Sequence, residues 1–169
     1  SVIYRRLAGF FSSTTLAVAA RGISNFIANG GHMKLVVNVR LSKEDIDAIQ
    51  EGLENPEKAI EKIMITELSD IKDEFIRDHV SALGWMVANK MLEIKVAVVE
   101  DEGPWIYHQK VGIFEDKEGN IISFSGSDNE SAAGWLGHVE EFKVFRSWVN
   151  GESKYVSSDQ RKFEKYWNN

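Results

Sequence analysis

The sequence predicts an α/β fold: a mixed, largely parallel central sheet flanked by helices on both faces. Met33 to Val39, MKLVVNV, is a nearly continuous apolar run of strand length, the pattern of a strand covered on both sides. A helical stretch from Leu16 to Ala28 separates it from an earlier strand-like segment, so the first third reads β-α-β, with a right-handed crossover and parallel neighbours. Further on, Ile71, Phe75, Ile76, Val80, Leu83 and Val87 recur near helical spacing, as in an amphipathic helix laid on a sheet.

In chain order, Ile3 to Ser12 is alternating and aromatic enough for a strand, and Ser12 and Ser13 are placed to cap the following helix. Asn29-Gly30-Gly31 stops that helix. Ser42 with Asp45 three residues on has the spacing of a capping box, opening a helix through Gln50, and Pro56 suits the start of another. Ser69 to Met91 reads as one long helix, Leu92 to Val99 as a strand and Asp101 to Pro104 as a loop. Tyr107 to Phe114 alternates as a strand, Asp116 to Asn120 is a charged turn with a Gly, and Ile121 to Ser125 is β-branched and aromatic, which makes a hairpin. Glu130 to Leu136 has helical character, Phe142 to Trp148 reads as a strand, and Ser157 to Trp167 as a closing helix.

At 169 residues, with 43% hydrophobic and 11% aromatic content, the chain suits a single domain over 1–169 with a proper core. Cys is absent, which excludes disulfides, thiolate chemistry and Cys-ligated zinc. The sequence contains neither a run of about twenty apolar residues nor a basic leader before a short apolar core, so a cytoplasmic protein without a membrane partner is expected. Beginning at Ser1 without Met and running straight into a strand, it reads as a piece of a longer chain. A net charge of -6 excludes a general nucleic-acid coat and leaves room only for local contact. The acidic runs, Glu44 to Glu61 and Glu67 to Asp78, lie away from the hairpin and read as solvated helix faces.

The hairpin carries the chemistry. Side chains at i and i+2 of a strand leave one face, so His108 and Lys110 point into the same space. With Glu115 opposite Asn120, an antiparallel register puts His108 roughly opposite Ser127, with Asn129 just beyond. An imidazole, an ammonium, a hydroxyl and an amide then converge, a set suited to a phosphate diester. Neutral imidazole is a nucleophile or base near pH 7, Lys110 neutralises a non-bridging oxygen, and Ser127 and Asn129 donate hydrogen bonds. The first N–H groups of the segment after Asn129 add to the anion site. The chemistry needs neither metal nor cofactor.

The order His108-x-Lys110, four residues, Glu115, then Gly126-Ser127-x-Asn129 and Glu140 resembles the HKD signature of the phospholipase D superfamily. Glu115 stands where the family carries Asp, and the DKEGN turn lengthens the gap to Gly126-Ser127. The opening FFSS, a helix, NGG and an apolar strand also look like the first β-α-β of phospholipase D-like domains at the head of helicases and restriction-type enzymes. The resemblance explains least of the Leu41 to Met91 helices. It implies a mechanism with two HKD motifs, in which one His attacks phosphorus and the other protonates the leaving oxygen. This chain has one motif, so two copies are expected to meet at a two-fold axis as a homodimer through the HKD face.

The implied function is a metal-independent phosphodiesterase or nuclease acting on DNA in preference to RNA, with a helicase domain possible elsewhere in the full-length chain. An alternative, favoured by Glu115, is a nucleic-acid-binding or regulatory module with the same fold and impaired turnover. Glu140 is assigned as the carboxylate that fixes the His108 tautomer, whereas Glu115, at an odd position, belongs to the opposite face with a structural role. Gly126 supports the site, and His138, two residues before Glu140 where the family often carries Asn, is a candidate lining of the pocket. His32 reads as a solvent-facing residue at a loop-to-strand junction, His79 lies within the long helix with its neighbour Asp78 read as surface and not as a metal partner, and Trp85, Trp148 and Trp167 read as core.

Overall fold

The computed structural model describes residues 2–9, 11–38, 41–63, 71–97, 110–126 and 142–168. Among them, six strands form one mixed sheet: β1 (Ile3–Ala8), β2 (His32–Asn38), β3 (Leu92–Ala97), β4 (Val111–Glu115), β5 (Ile121–Gly126) and β6 (Phe142–Arg146), in the spatial order β3-β2-β1-β4-β5-β6. The predicted β-α-β is present, with β1 parallel to β2 and β2 parallel to β3. Beyond β1 the direction reverses, and the β1/β4, β4/β5 and β5/β6 pairs are all antiparallel. The expectation of a largely parallel sheet is therefore corrected. The hairpin docks directly beside β1, and its short turn and the return to β6 add antiparallel pairs that need no crossover helix.

Helices cover both faces. On one lie α1 (Thr14–Val18), α2 (Ala20–Ala28), α3 (Lys43–Glu54), α4 (Pro56–Glu61), α5 (Ile71–Arg77) and α6 (His79–Ala88). Their buried side chains, among them Leu16, Ile27, Ile49, Phe75, Leu83 and Met86, join Met33, Leu35, Val37 and Leu92 of the sheet in the larger core. On the other lies α7 (Ser153–Trp167), which sets Phe163 and Trp167 against Leu7, Val36, Val111 and Ile113. Lys34 and Lys95 each hold the ammonium 5.0 Å from the Trp167 ring centroid, so a charged face closes over an apolar one.

Local chemistry explains the element ends. Gly30, at φ 74°, takes the left-handed position after α2, and the Gly31 N–H bonds the Phe26 carbonyl. Ser42 caps α3 by accepting from the Asp45 N–H at 3.0 Å, but Asp45 does not complete a box: its carboxylate accepts instead from the Ser13 N–H at 3.2 Å. Pro56 opens α4 as expected.

Three further expectations are corrected. The single helix over Ser69 to Met91 is two helices, α5 and α6, because Asp78 leaves helical dihedrals (φ -142°, ψ 78°) and caps α6 by accepting from the Ser81 N–H. Within α5, Ile71 and Phe75 are buried whereas Ile76 is 53% exposed. Ser13 precedes α1 but makes no cap with its side chain; Ser12 Oγ reaches the Thr14 N–H instead, at 3.4 Å. Trp85 and Trp167 are buried, whereas Trp148 is 55% exposed, since β6 has ended at Arg146 and the chain is turning there. Among the described residues no helix is long and apolar enough to cross a membrane.

Candidate functional site

The β4–β5 hairpin is closed by a turn that the sequence builds residue by residue. Asp116 Oδ1 accepts from the N–H groups of Glu118 (2.9 Å) and Asn120 (2.8 Å), and Oδ2 accepts from the Asn120 side-chain amide at 2.9 Å. Gly119 takes φ 82°, which a residue with a Cβ adopts only with strain. These hydrogen bonds, the Asn120 amide foremost, hold the Asp116 carboxyl below the usual carboxylate range.

Because the Asp116 N–H bonds the Asn120 carbonyl at 3.0 Å, Glu115 pairs with Ile121. The expected partner, Asn120, is off by one. The turn takes in one residue more on its trailing side, Asn120, than the alternation of either strand reveals, and a one-residue slip exchanges the faces of a strand. The ladder then runs Phe114 to Ile122, Gly112 to Phe124 and Val111 to Ser125, and the Gly126 N–H reaches the Lys110 carbonyl at 3.3 Å. The expectation that His108 lies opposite Ser127 depended on the other register. His108, Ser127, Asn129, His138 and Glu140, and the helix expected at Glu130 to Leu136, lie outside the described residues.

Three of the motif residues are described. Lys110, half-buried, and Gly126 face each other at the open end of the hairpin. Glu115 sits at the other end and accepts from Arg5 Nη1 at 2.7 Å in a partly buried ion pair. By alternation it shares the α7 face with Val111 and Ile113, away from the side that continues through Gly112 to Lys110. The structure therefore separates Glu115 from Lys110.

One residue near this end was not singled out from the sequence. Arg6, 1% exposed, lies in β1 opposite Gly112, with its guanidinium 5.2 Å from the Phe124 ring centroid. A Cβ on Gly112 would stand 2.0 Å from Phe124 Cζ, so the glycine is what lets that ring lie across the strand. The row Arg6, Gly112, Phe124 is two residues, or about 7 Å, from the Lys110–Gly126 row. A guanidinium thus sits under the hairpin near the Lys110 end. The signal was available: Arg5-Arg6 in a strand must point to opposite faces, and in a sheet covered on both sides one of them is buried.

A second polar cluster lies elsewhere. Ser13 Oγ is 3.0 Å from His79 Nδ1, and Asp45, 1% exposed, bonds the Ser13 N–H. Ser, His and Asp together resemble a hydrolase triad in composition only, for the acid holds the serine's backbone rather than the imidazole. The cluster ties the starts of α1, α3 and α6 to one another. His79, half-buried, is thus tied to Ser13, and His32 bonds Glu93 at 2.6 Å at the start of β2.

No family model matches the chain, and no curated protein matches it.

Proposed function

We propose that the chain is a phospholipase D-like phosphodiesterase that cleaves DNA without a metal ion. His108 acts as nucleophile, Lys110, Ser127 and Asn129 hold the phosphate oxygens, and Glu140 orients the imidazole. The observation that carries the reading is the hairpin: the two halves of the motif flank one antiparallel pair whose open end joins Lys110 to Gly126. Arg6 lies buried on the Lys110 face of the hairpin, in the row of Gly112 and Phe124.

In this reading the His108 imidazole of one subunit attacks phosphorus, forming a phosphohistidine as the P–O bond to the leaving strand breaks. The His108 of a second subunit gives its proton to the leaving oxygen and then takes one from the water that hydrolyses the intermediate. Cleavage of a DNA substrate in EDTA, with His108→Ala as control, tests it. Persistence in chelator and loss in the variant are expected; abolition by chelator, or an active variant, refutes the chemistry.

A second reading keeps the fold and nucleic-acid contact without turnover. It is favoured by Glu115, which stands where the family has Asp and is occupied by Arg5. Trapping a phosphohistidine on a slow substrate separates the two, since a pure binder forms no adduct.

A further inference from the structure

β3 ends the sheet on one side, and among the described residues no strand pairs with its outer edge. The Met33 N–H donates to the Met91 carbonyl, so the odd-numbered residues of β3 serve β2, whereas Leu92, Ile94 and Val96 turn their N–H and C=O groups outward. A groove of about 490 Å³ follows this edge, walled by Leu53 and Val87 of α3 and α6 and by Trp167 of α7. Val96 is 46% exposed and Leu53 68%. Glu93 and Lys95, both exposed, stand two residues apart on the α7 side. An open edge of this kind accepts a further strand.

We propose that the strand it accepts is the β3 of a second copy of this chain, antiparallel about a two-fold axis at Ile94. Charge fixes the register. An axis at Glu93 sets that carboxylate opposite itself, an axis at Lys95 does the same for the ammonium, and an axis at Ile94 sets Glu93 opposite the partner's Lys95 twice over. Ile94 then exchanges both backbone bonds with its own copy, while Glu93 and Lys95 form the non-hydrogen-bonded pairs, where cross-strand side chains come closest. Leu92 faces the partner's Val96, which covers the exposed valine. Within the chain Glu93 meets His32 through Oε1, and Lys95 gives one N–H to the Trp167 carbonyl, which leaves a second carboxylate oxygen and further N–H groups for the partner. A lysine on an edge ordinarily discourages pairing; here it discourages strands that bring no acid and admits the one that does. β6, at the other end of the sheet, carries Lys143 and Arg146 without an acid, so it cannot match itself in this way. β2 and β1 lie between β3 and the hairpin, so the contact is separate from the HKD face and independent of the phosphodiester chemistry proposed above.

The test is the mass of the 169-residue chain by analytical ultracentrifugation over a concentration series. E93K and K95E each turn two attractive cross-strand pairs into repulsive ones, and each is expected to raise the concentration of half-dissociation by about tenfold or more. Mixed in equal amounts, the two variants should associate as tightly as the natural chain, and the double variant E93K/K95E should do so alone. Should a charge variant fail to fold, Ile94→Cys still decides. Cys is absent from the natural chain, so the new thiol is unique; it falls on the axis with the two Cα atoms about 5.5 Å apart, and mild oxidation is expected to give a covalent dimer. A natural chain that is monomeric throughout, single variants that associate as it does, a mixture no tighter than its components, or Ile94→Cys that stays monomeric on oxidation overturns the proposal.

Discussion

Arg5 and Arg6 are neighbours in sequence and belong to opposite faces of the sheet, so the two charges meet different fates. Arg5 finds Glu115 at 2.7 Å in a setting where neither side chain is more than about a quarter exposed. Glu115→Gln is expected to lower unfolding free energy by about 0.5–1 kcal/mol, measured by urea titration, as for a partly screened ion pair. Turnover should not change, because Glu115 lies away from Lys110. A large loss of rate at unchanged stability would return Glu115 to the site. On the other face Gly112 is the sensitive position. Gly112→Ala forces the Phe124 ring off its place beside Arg6, and a loss of about 1–3 kcal/mol is expected from overpacking. Acid acts at this scale too. Asp116 has its pKa lowered in the fold, chiefly by Asn120, so its contribution is complete above the ordinary carboxylate value and disappears as pH falls through the lower, folded one. Asp116→Asn should flatten the acid limb of the stability profile, and an unchanged limb would assign it to Asp78, Glu51 or Glu152, whose carboxyls are lowered by hydrogen bonds from the Ser81 N–H, Lys58 and Arg146.

At the scale of elements, α6 depends on its first residue pair. Asp78 accepts the Ser81 N–H at 3.0 Å, which also holds the Asp78 carboxyl below its usual range. Asp78→Ala is expected to cost about 1 kcal/mol, the usual worth of an N-cap, read as a lower midpoint in thermal or denaturant unfolding. The same position explains what could and could not be read from the sequence. Apolar spacing across Ile71, Phe75, Leu83 and Val87 is continuous enough to suggest one helix, but Asp-x-x-Ser is also a start signal, and local capping prevailed over periodicity. The β1-α-β2 unit was legible because a strand covered on both sides must be apolar throughout. The hairpin was legible from its Gly-bearing turn, yet its register was not, since neither strand says how many turn residues Asp116 will gather round its carboxylate. Burial of one of Arg5 and Arg6 was legible, because neighbours in a strand covered on both sides point to opposite faces, but the pair does not say which of the two is buried. Helix packing is also set at this scale. Gly52 and Gly84 let α3 and α6 approach so closely that a Cβ on Gly52 would be 2.5 Å from the Gly84 carbonyl oxygen, a contact with rigid backbone that Gly52→Ala can relieve only by moving a helix.

At the scale of the whole molecule, the proposed chemistry requires two imidazoles, and the sequence has one His-x-Lys pair, so that proposal brings His108 of two copies into one cleft at a two-fold axis. Under that proposal activity depends on subunits in a way that no single-chain enzyme reproduces. If natural and His108→Ala chains are co-refolded so that they pair at random, only dimers with two intact imidazoles can both attack phosphorus and protonate the leaving oxygen. Activity per total protein then falls with the square of the natural fraction, to about a quarter in an equal mixture, whereas independent sites would retain about half. Lys110 and the Arg5–Glu115 pair are kept in the variant, and sedimentation of the mixture checks in the same samples that it still dimerises. A linear decline with intact dimers shows that each chain works alone. A monomer throughout at micromolar concentration removes the shared cleft altogether, and with it the need for a second imidazole from a partner.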